Sequence, residues 1–135
     1  MCAIAGILNL NAAPQTVQAM EKTMRRRGPD DFGMFQKGDV TLLHARLTVI
    51  DPEGGRQPMT LRFQGREYTI VYNGELYNAP ELRLELSKLG HEFSGHSDTE
   101  VLLQGYARWG REVLQKLNGI YAFAVWEHRA RRLFL

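Results

Sequence analysis

The sequence holds one cysteine, Cys2, in 135 residues, so no disulfide can close within the chain, and a reducing compartment suits it at least as well as an oxidising one. Long apolar runs are missing. The longest without glycine, Ile120 to Trp126, is seven residues, against the roughly 20 that a bilayer-spanning helix needs. No basic and apolar leader opens the chain, and no apolar stretch precedes Cys2 to mark a lipid attachment site. These absences predict a cytoplasmic location and no membrane partner. Charge of one sign is also scarce: 17 Lys and Arg against 15 Asp and Glu leave +2, too small and too interspersed for a nucleic-acid footprint. The run Arg25 to Arg27 is followed by Asp30 and Asp31, and reads as a solvated face. There is no repeat, no low-complexity stretch, no GxxxxGK[ST] loop and no Gly-rich dinucleotide fingerprint, which leaves phosphate binding unsupported. Four histidines, His44, His91, His96 and His128, lack metal-ligand spacing and are expected to be structural or exposed. What remains, 44% hydrophobic and 24% charged, is an ordinary globular composition with room for one core.

Apolar patterning divides the chain. Cys2 to Leu8 reads as a buried strand, and Pro14 opens a helix that Gly28 and Pro29 stop. Phe32 to Gln36 and Val40 to Ile50 read as a hairpin about Lys37, Gly38 and Asp39. Alternation in its second strand puts Arg46 on a charged side and Leu47 and Val49 on a core side. Asp51 to Gln57 reads as loop, and Leu61 to Phe63 with Glu67 to Tyr72 as a second hairpin ending at Asn73 and Gly74. Asn78 and Pro80 signal a helix with a Leu82, Leu86 and Leu89 stripe, stopped by Gly90. Ser97 and Glu100 have capping-box spacing, which starts another helix with Asp98 in its first turn. A short helical piece around Val113, Leu114 and Leu117 precedes a buried strand, Ile120 to Trp126. Leu133 to Leu135 look like a strand just begun, as in a chain cut short. Hairpins outnumber crossovers, so antiparallel sheets covered by helices are expected.

One residue has chemistry legible by itself. If Met1 is removed, Cys2 carries a thiol and an α-amine together, and an amine with a reference pKa of about 7.7 to 8.0 is partly unprotonated at neutral pH and can take the thiol's proton. The plain alternative is a small buried residue at a strand's start. Other plain alternatives are Asn73 and Gly74 as a hairpin turn, Arg46 as a surface charge, and Asp98 as a carboxylate favoured by a helix N-terminus.

Six strings change that balance: MCAIAG from Met1, RGPD from Arg27, RLTVIDPEGGRQPM from Arg46, YNGELYN from Tyr72, SDTEV from Ser97 and LNGIYAFAVW from Leu117. In this order, over essentially the whole chain, they resemble the glutaminase domain of the glutamine-hydrolysing asparagine synthetases, class II glutamine amidotransferases. The resemblance implies an α+β fold, the four-layer αββα arrangement of N-terminal nucleophile hydrolases with antiparallel sheets, incomplete at the C-terminus. It implies that Cys2 attacks the amide of glutamine and forms a thioester, with the Asn73 side chain and Gly74 N–H as oxyanion donors. It places Arg46 on the substrate's α-carboxylate, Asp98 on its α-ammonium with Glu75 as helper, and Val49 among the substrate-binding residues. Hydrolysis on this mechanism needs no metal or other cofactor. ATP and magnesium belong to a synthetase domain, the partner that would receive ammonia and whose SGGxDS signature this chain lacks. A homodimer stays open. Ala3 stands where the family commonly has Gly, and Arg26 where His usually precedes RGPD. Two alternatives remain: another class II amidotransferase with a different acceptor, or a fragment that keeps the fold without turnover.

Overall fold

The structure, a computed structural model, describes residues 1–48 and 54–135. Two antiparallel sheets face each other. In the first, β3 (Val40–Arg46) runs between β1 (Ala3–Leu8) and β2 (Asp31–Lys37). In the second the order is β4 (Met59–Phe63), β5 (Arg66–Leu76), β6 (Gly119–Glu127) and β7 (Arg132–Phe134). α1 (Pro14–Met24) covers the outer face of the first sheet; α2 (Ala79–Lys88) and α3 (Asp98–Trp109) cover the second, with a 3-10 turn, Gly110–Gln115, following α3.

The layers follow from strand alternation. In β3, Val40 and Leu42 point between the sheets, against Val71, Ala124 and Trp126. Leu43 and Ala45 point the other way, against Met24, Val17 and Met20 of α1. A strand apolar on both faces belongs in the middle of a covered sheet, and every residue of β3 is buried. The second sheet repeats the pattern: Ile70, Tyr72, Phe123 and Val125 pack on Leu102, Leu103 and Tyr106 of α3. Leu82 and Leu86 of α2 close over Val101. Helix, sheet, sheet, helix is the expected four-layer αββα order.

Several boundaries differ from the sequence reading. β3 ends at Arg46 rather than running on to Ile50, and residues 49–53 lie outside the described part. Arg46 is no surface charge; it is buried, on the inter-sheet side of β3. β5 continues four residues past Tyr72 to Leu76, so Asn73 and Gly74 are strand, paired with Ala122 and Tyr121, and not a turn. The capping box keeps one half: Ser97 Oγ accepts from Glu100 N–H at 3.3 Å, while the Glu100 carboxylate accepts from Ser94 N–H at 2.7 Å and Gly95 N–H at 2.9 Å. Asn78 does not cap α2 with its side chain. It clamps the turn before β6 instead, donating to Lys116 O at 2.8 Å and accepting from Asn118 N–H at 2.9 Å. Leu89, expected on the apolar stripe, is exposed. The strand begun at the C-terminus is formed: Leu133 pairs with Trp126.

Candidate active site

The register of Ala3 against Ala45 brings Cys2 level with the end of β3. There the Cys2 thiol accepts from Leu47 N–H at 3.4 Å and lies 3.6 Å from Leu47 O. The RGPD string braces this strand end from outside. A Cβ on Gly28 would lie 2.5 Å from Arg46 N and on the Ala45 carbonyl, so only glycine lets the loop lie this close. Asp30 N–H then donates to Arg46 O at 2.9 Å, and Asp30 Oδ2 accepts from Thr48 N–H at 2.7 Å.

The second wall is an open strand edge. Among the described residues β4 pairs with β5 only as far as Met59 against Ile70, and Pro58, which precedes Met59, lies outside the ladder. Beyond that point β5 keeps β6 on one side and presents its other edge to the cleft. Backbone N–H groups alternate sides along a strand, so those of Tyr72, Gly74 and Leu76 share this edge. Tyr72 N–H donates to Gln57 Oε1 at 2.6 Å, and Leu76 N–H donates to Asp98 Oδ2 at 3.1 Å. Gly74 N–H points into the space between them. The neighbouring strand requires glycine here: a Cβ would fall on Ile120 O and 2.7 Å from Tyr121 Cα.

The third wall is the N-terminus of α3. Asp98 is its first residue, and Asp98 Oδ2 also accepts from the Tyr72 hydroxyl at 2.8 Å. Burial, and then the charge of Asp98, push the Tyr72 hydroxyl's ionisation far above its ordinary range, which keeps it a donor. Gln57 Nε2 donates to Thr99 Oγ1 at 3.1 Å, tying this helix start to β5. On the floor, His44 Nε2 donates to Tyr72 O at 3.2 Å, and burial lowers the imidazole's pKa to about 4, leaving it neutral near pH 7.

Cys2, Arg46, Asn73, Gly74, Glu75 and Asp98 thus line one cleft of about 510 Å³. They come from the residue before β1, the end of β3, late β5 and the first residue of α3. Val49 lies outside the described residues. Met1 sits at the mouth beside Cys2. Sequence reasoning missed Leu47, Gln57, Tyr72 and Thr99, whose parts here depend on the open edge of β5. The only cue was that all four lie within strings already noted. Apart from His44 on the floor, the histidines lie outside the cleft: His91 is buried, with Nδ1 donating to Gln104 Oε1 at 2.6 Å, His128 bonds Thr69 at 2.8 Å, and His96 is exposed.

Comparison with known proteins agrees with this geometry. The glutamine amidotransferase domain family matches residues 1–135. "Asparagine synthetase [glutamine-hydrolyzing] 3" of Bacillus subtilis (strain 168) is 47% identical over 138 residues, covering 99% of this chain and 22% of that protein. "Asparagine synthetase [glutamine-hydrolyzing] 1" of Arabidopsis thaliana is 37% identical over 133 residues, 96% of this chain and 22% of that protein. The chain therefore spans about a fifth of the length of these curated relatives. Among solved structures, glutamine phosphoribosylpyrophosphate amidotransferase from B. subtilis, complexed with ADP and GMP, superimposes with a TM-score of 0.74 at 25% identity, covering 90% of this chain and 34% of that one. With its two antiparallel sheets between helices and a family match over its whole length, this chain belongs to the glutamine amidotransferase domain family, in the N-terminal nucleophile fold.

Proposed function

We propose that this chain is the glutaminase part of a glutamine-hydrolysing asparagine synthetase. On this reading it splits glutamine into glutamate and ammonia, and the ammonia passes to a synthetase domain that forms asparagine from aspartate and ATP. The observation that carries it is the convergence of Cys2, Arg46, Asn73, Gly74 and Asp98 on one cleft.

With Met1 removed, the Cys2 α-amine takes the thiol proton and Sγ attacks the amide carbon of the glutamine side chain. The oxyanion is met by the Asn73 side-chain amide and by Gly74 N–H on the open edge of β5, donors held in place before charge develops. The carbon–nitrogen bond breaks as the α-ammonium returns its proton to the leaving ammonia, and a γ-glutamyl thioester remains. Water then cleaves the thioester, releasing glutamate and restoring the thiol. Arg46, in a buried setting where a guanidinium binds a carboxylate with two parallel bonds, holds the α-carboxylate. Asp98, helped by Glu75, holds the α-ammonium, and Val49 joins the substrate contacts. The opposed charges select a free amino acid over a glutamine within a peptide.

No cofactor takes part in hydrolysis on this reading; ATP and magnesium act in the synthetase portion of the longer protein. A cytoplasmic setting suits a free thiol, and among the described residues no helix is long and apolar enough to cross a membrane. The identity to asparagine synthetases favours aspartate as acceptor over a sugar phosphate.

Glutamate release from glutamine, measured on protein whose processed N-terminus is verified by mass, tests the proposal beside Cys2→Ala. Release that drops to background in the variant supports it. Equal release in the variant, or none from a folded parent chain, refutes it.

A further inference from the structure

We infer that Tyr72 is a positioning residue for glutamine: its hydroxyl orients the Asp98 carboxylate, and so couples capture of the substrate's α-ammonium to the strand that presents the amide-carbonyl donors. The inference rests on the glutaminase reading of the cleft and adds a residue which that reading does not use.

Tyr72 is 2% exposed, yet its one polar atom is spent on a cleft carboxylate. Both hydrogen bonds to Asp98, from the Tyr72 hydroxyl at 2.8 Å and from Leu76 N–H at 3.1 Å, fall on Oδ2. Two donors on one oxygen fix the plane of the carboxylate and leave Oδ1 for a cation in the cleft. Without the hydroxyl, one backbone N–H would hold a side chain with two free torsions at the first position of α3.

Tyr72 can act as a fixed post because it is held on every side. Its N–H meets Gln57 Oε1 at 2.6 Å and its carbonyl meets His44 Nε2 at 3.2 Å, while Gln57 also reaches Thr99, next to Asp98, at 3.1 Å. Alternation along β5 sends Tyr72 toward α3 and its neighbour Asn73 toward the other sheet. Two adjacent residues of one strand therefore set both ends of the substrate: Asn73 with Gly74 at the amide carbonyl, Tyr72 through Asp98 at the α-ammonium.

The test compares glutamine with glutaramate, the same molecule without its α-amino group, in the parent chain, Tyr72→Phe, Asp98→Asn and the double variant. The readouts are KM and kcat for glutamine and Ki for glutaramate as competitor, none of which except kcat depends on how much of a preparation is folded. A hydrogen bond to a charged group supports a rise of roughly tenfold in glutamine KM for Tyr72→Phe. The expected pattern is that rise with kcat within about twofold, glutaramate Ki within about twofold, and no further rise in KM when Tyr72→Phe is added to Asp98→Asn. Equal weakening of glutamine and glutaramate, or an unchanged glutamine KM, overturns the inference while leaving the glutaminase reading intact. No turnover by the parent chain overturns both.

Discussion

Acidification should destabilise the fold through one residue, His44. The imidazole is 1% exposed, on the inter-sheet side of β3 two positions before Arg46, and gives its one donor to Tyr72 O at 3.2 Å. Burial, its largest influence, lowers its pKa from 6.5 to about 4; the Arg46 charge adds to this, while the Tyr72 bond and Asp31 oppose it. The unfolded chain therefore binds a proton between pH 6.5 and about 4 that the folded chain refuses. Stability is fully present above pH 6.5, falls as pH drops through this window, and levels off below about 4. The whole window amounts to about 3 kcal/mol and the part above pH 5 to about 2 kcal/mol. Urea unfolding at pH 7.0, 6.0 and 5.0, on the parent and on His44→Gln, measures it. Gln keeps a donor for Tyr72 O and does not titrate. His128 also titrates low because it is partly buried, but it is common to both proteins and drops out of their difference. Glu67 and Glu127, held below their ordinary range, lose their contributions only at lower pH. The variant should lose about 2 kcal/mol less than the parent between pH 7 and 5. Parallel curves for the two proteins would refute the claim that His44 is buried neutral between the sheets.

Gly74→Ala should cost stability and activity together: the new Cβ meets backbone at Ile120 O and Tyr121 Cα, which a side-chain shift does not relieve, so a loss of about 1 to 3 kcal/mol in urea unfolding is expected. A variant as stable as the parent would mean that β5 and β6 are not this close. Gln57→Leu leaves Tyr72 N–H without its partner on the open edge of β5, and should cost about 1 to 3 kcal/mol while slowing glutamate release; no change in either would remove Gln57 from the network. Cys2→Ala should abolish glutamate release with little effect on melting, because the hydrogen bonds of its thiol among the described residues are the weak sulfur ones to the Leu47 peptide.

Local elements were legible because their signals are local. Pro14 does open α1, Ser97 does cap α3, and alternation located the strands to within a few residues. The misread positions share a cause. Arg46 looked like a surface charge because alternation shows that a side differs without showing what covers it; a second sheet does. Asn73 and Gly74 carry turn chemistry, but β6 supplies nine pairing partners to β5, and that pairing outweighs the local preference. Asn78 and Glu100 have capping chemistry that is drawn to neighbours brought close by the fold, Lys116 and Asn118 for one and Ser94 and Gly95 for the other.

For the site, the sequence by itself determined which groups are available: a thiol beside the chain's first residue, an arginine, an Asn–Gly pair and a carboxylate at a helix start. Six strings in register sufficed to suggest the family. Only the tertiary structure decided that β4 stops at Pro58 and leaves β5 an open edge, that Gln57, Gly74 and Asp98 share that edge, and that Tyr72 holds Asp98. The reason is physical. Residue types and short-range periodicity are properties of the chain, whereas which N–H group lacks a strand partner depends on where another strand ends, and no local pattern carries that information.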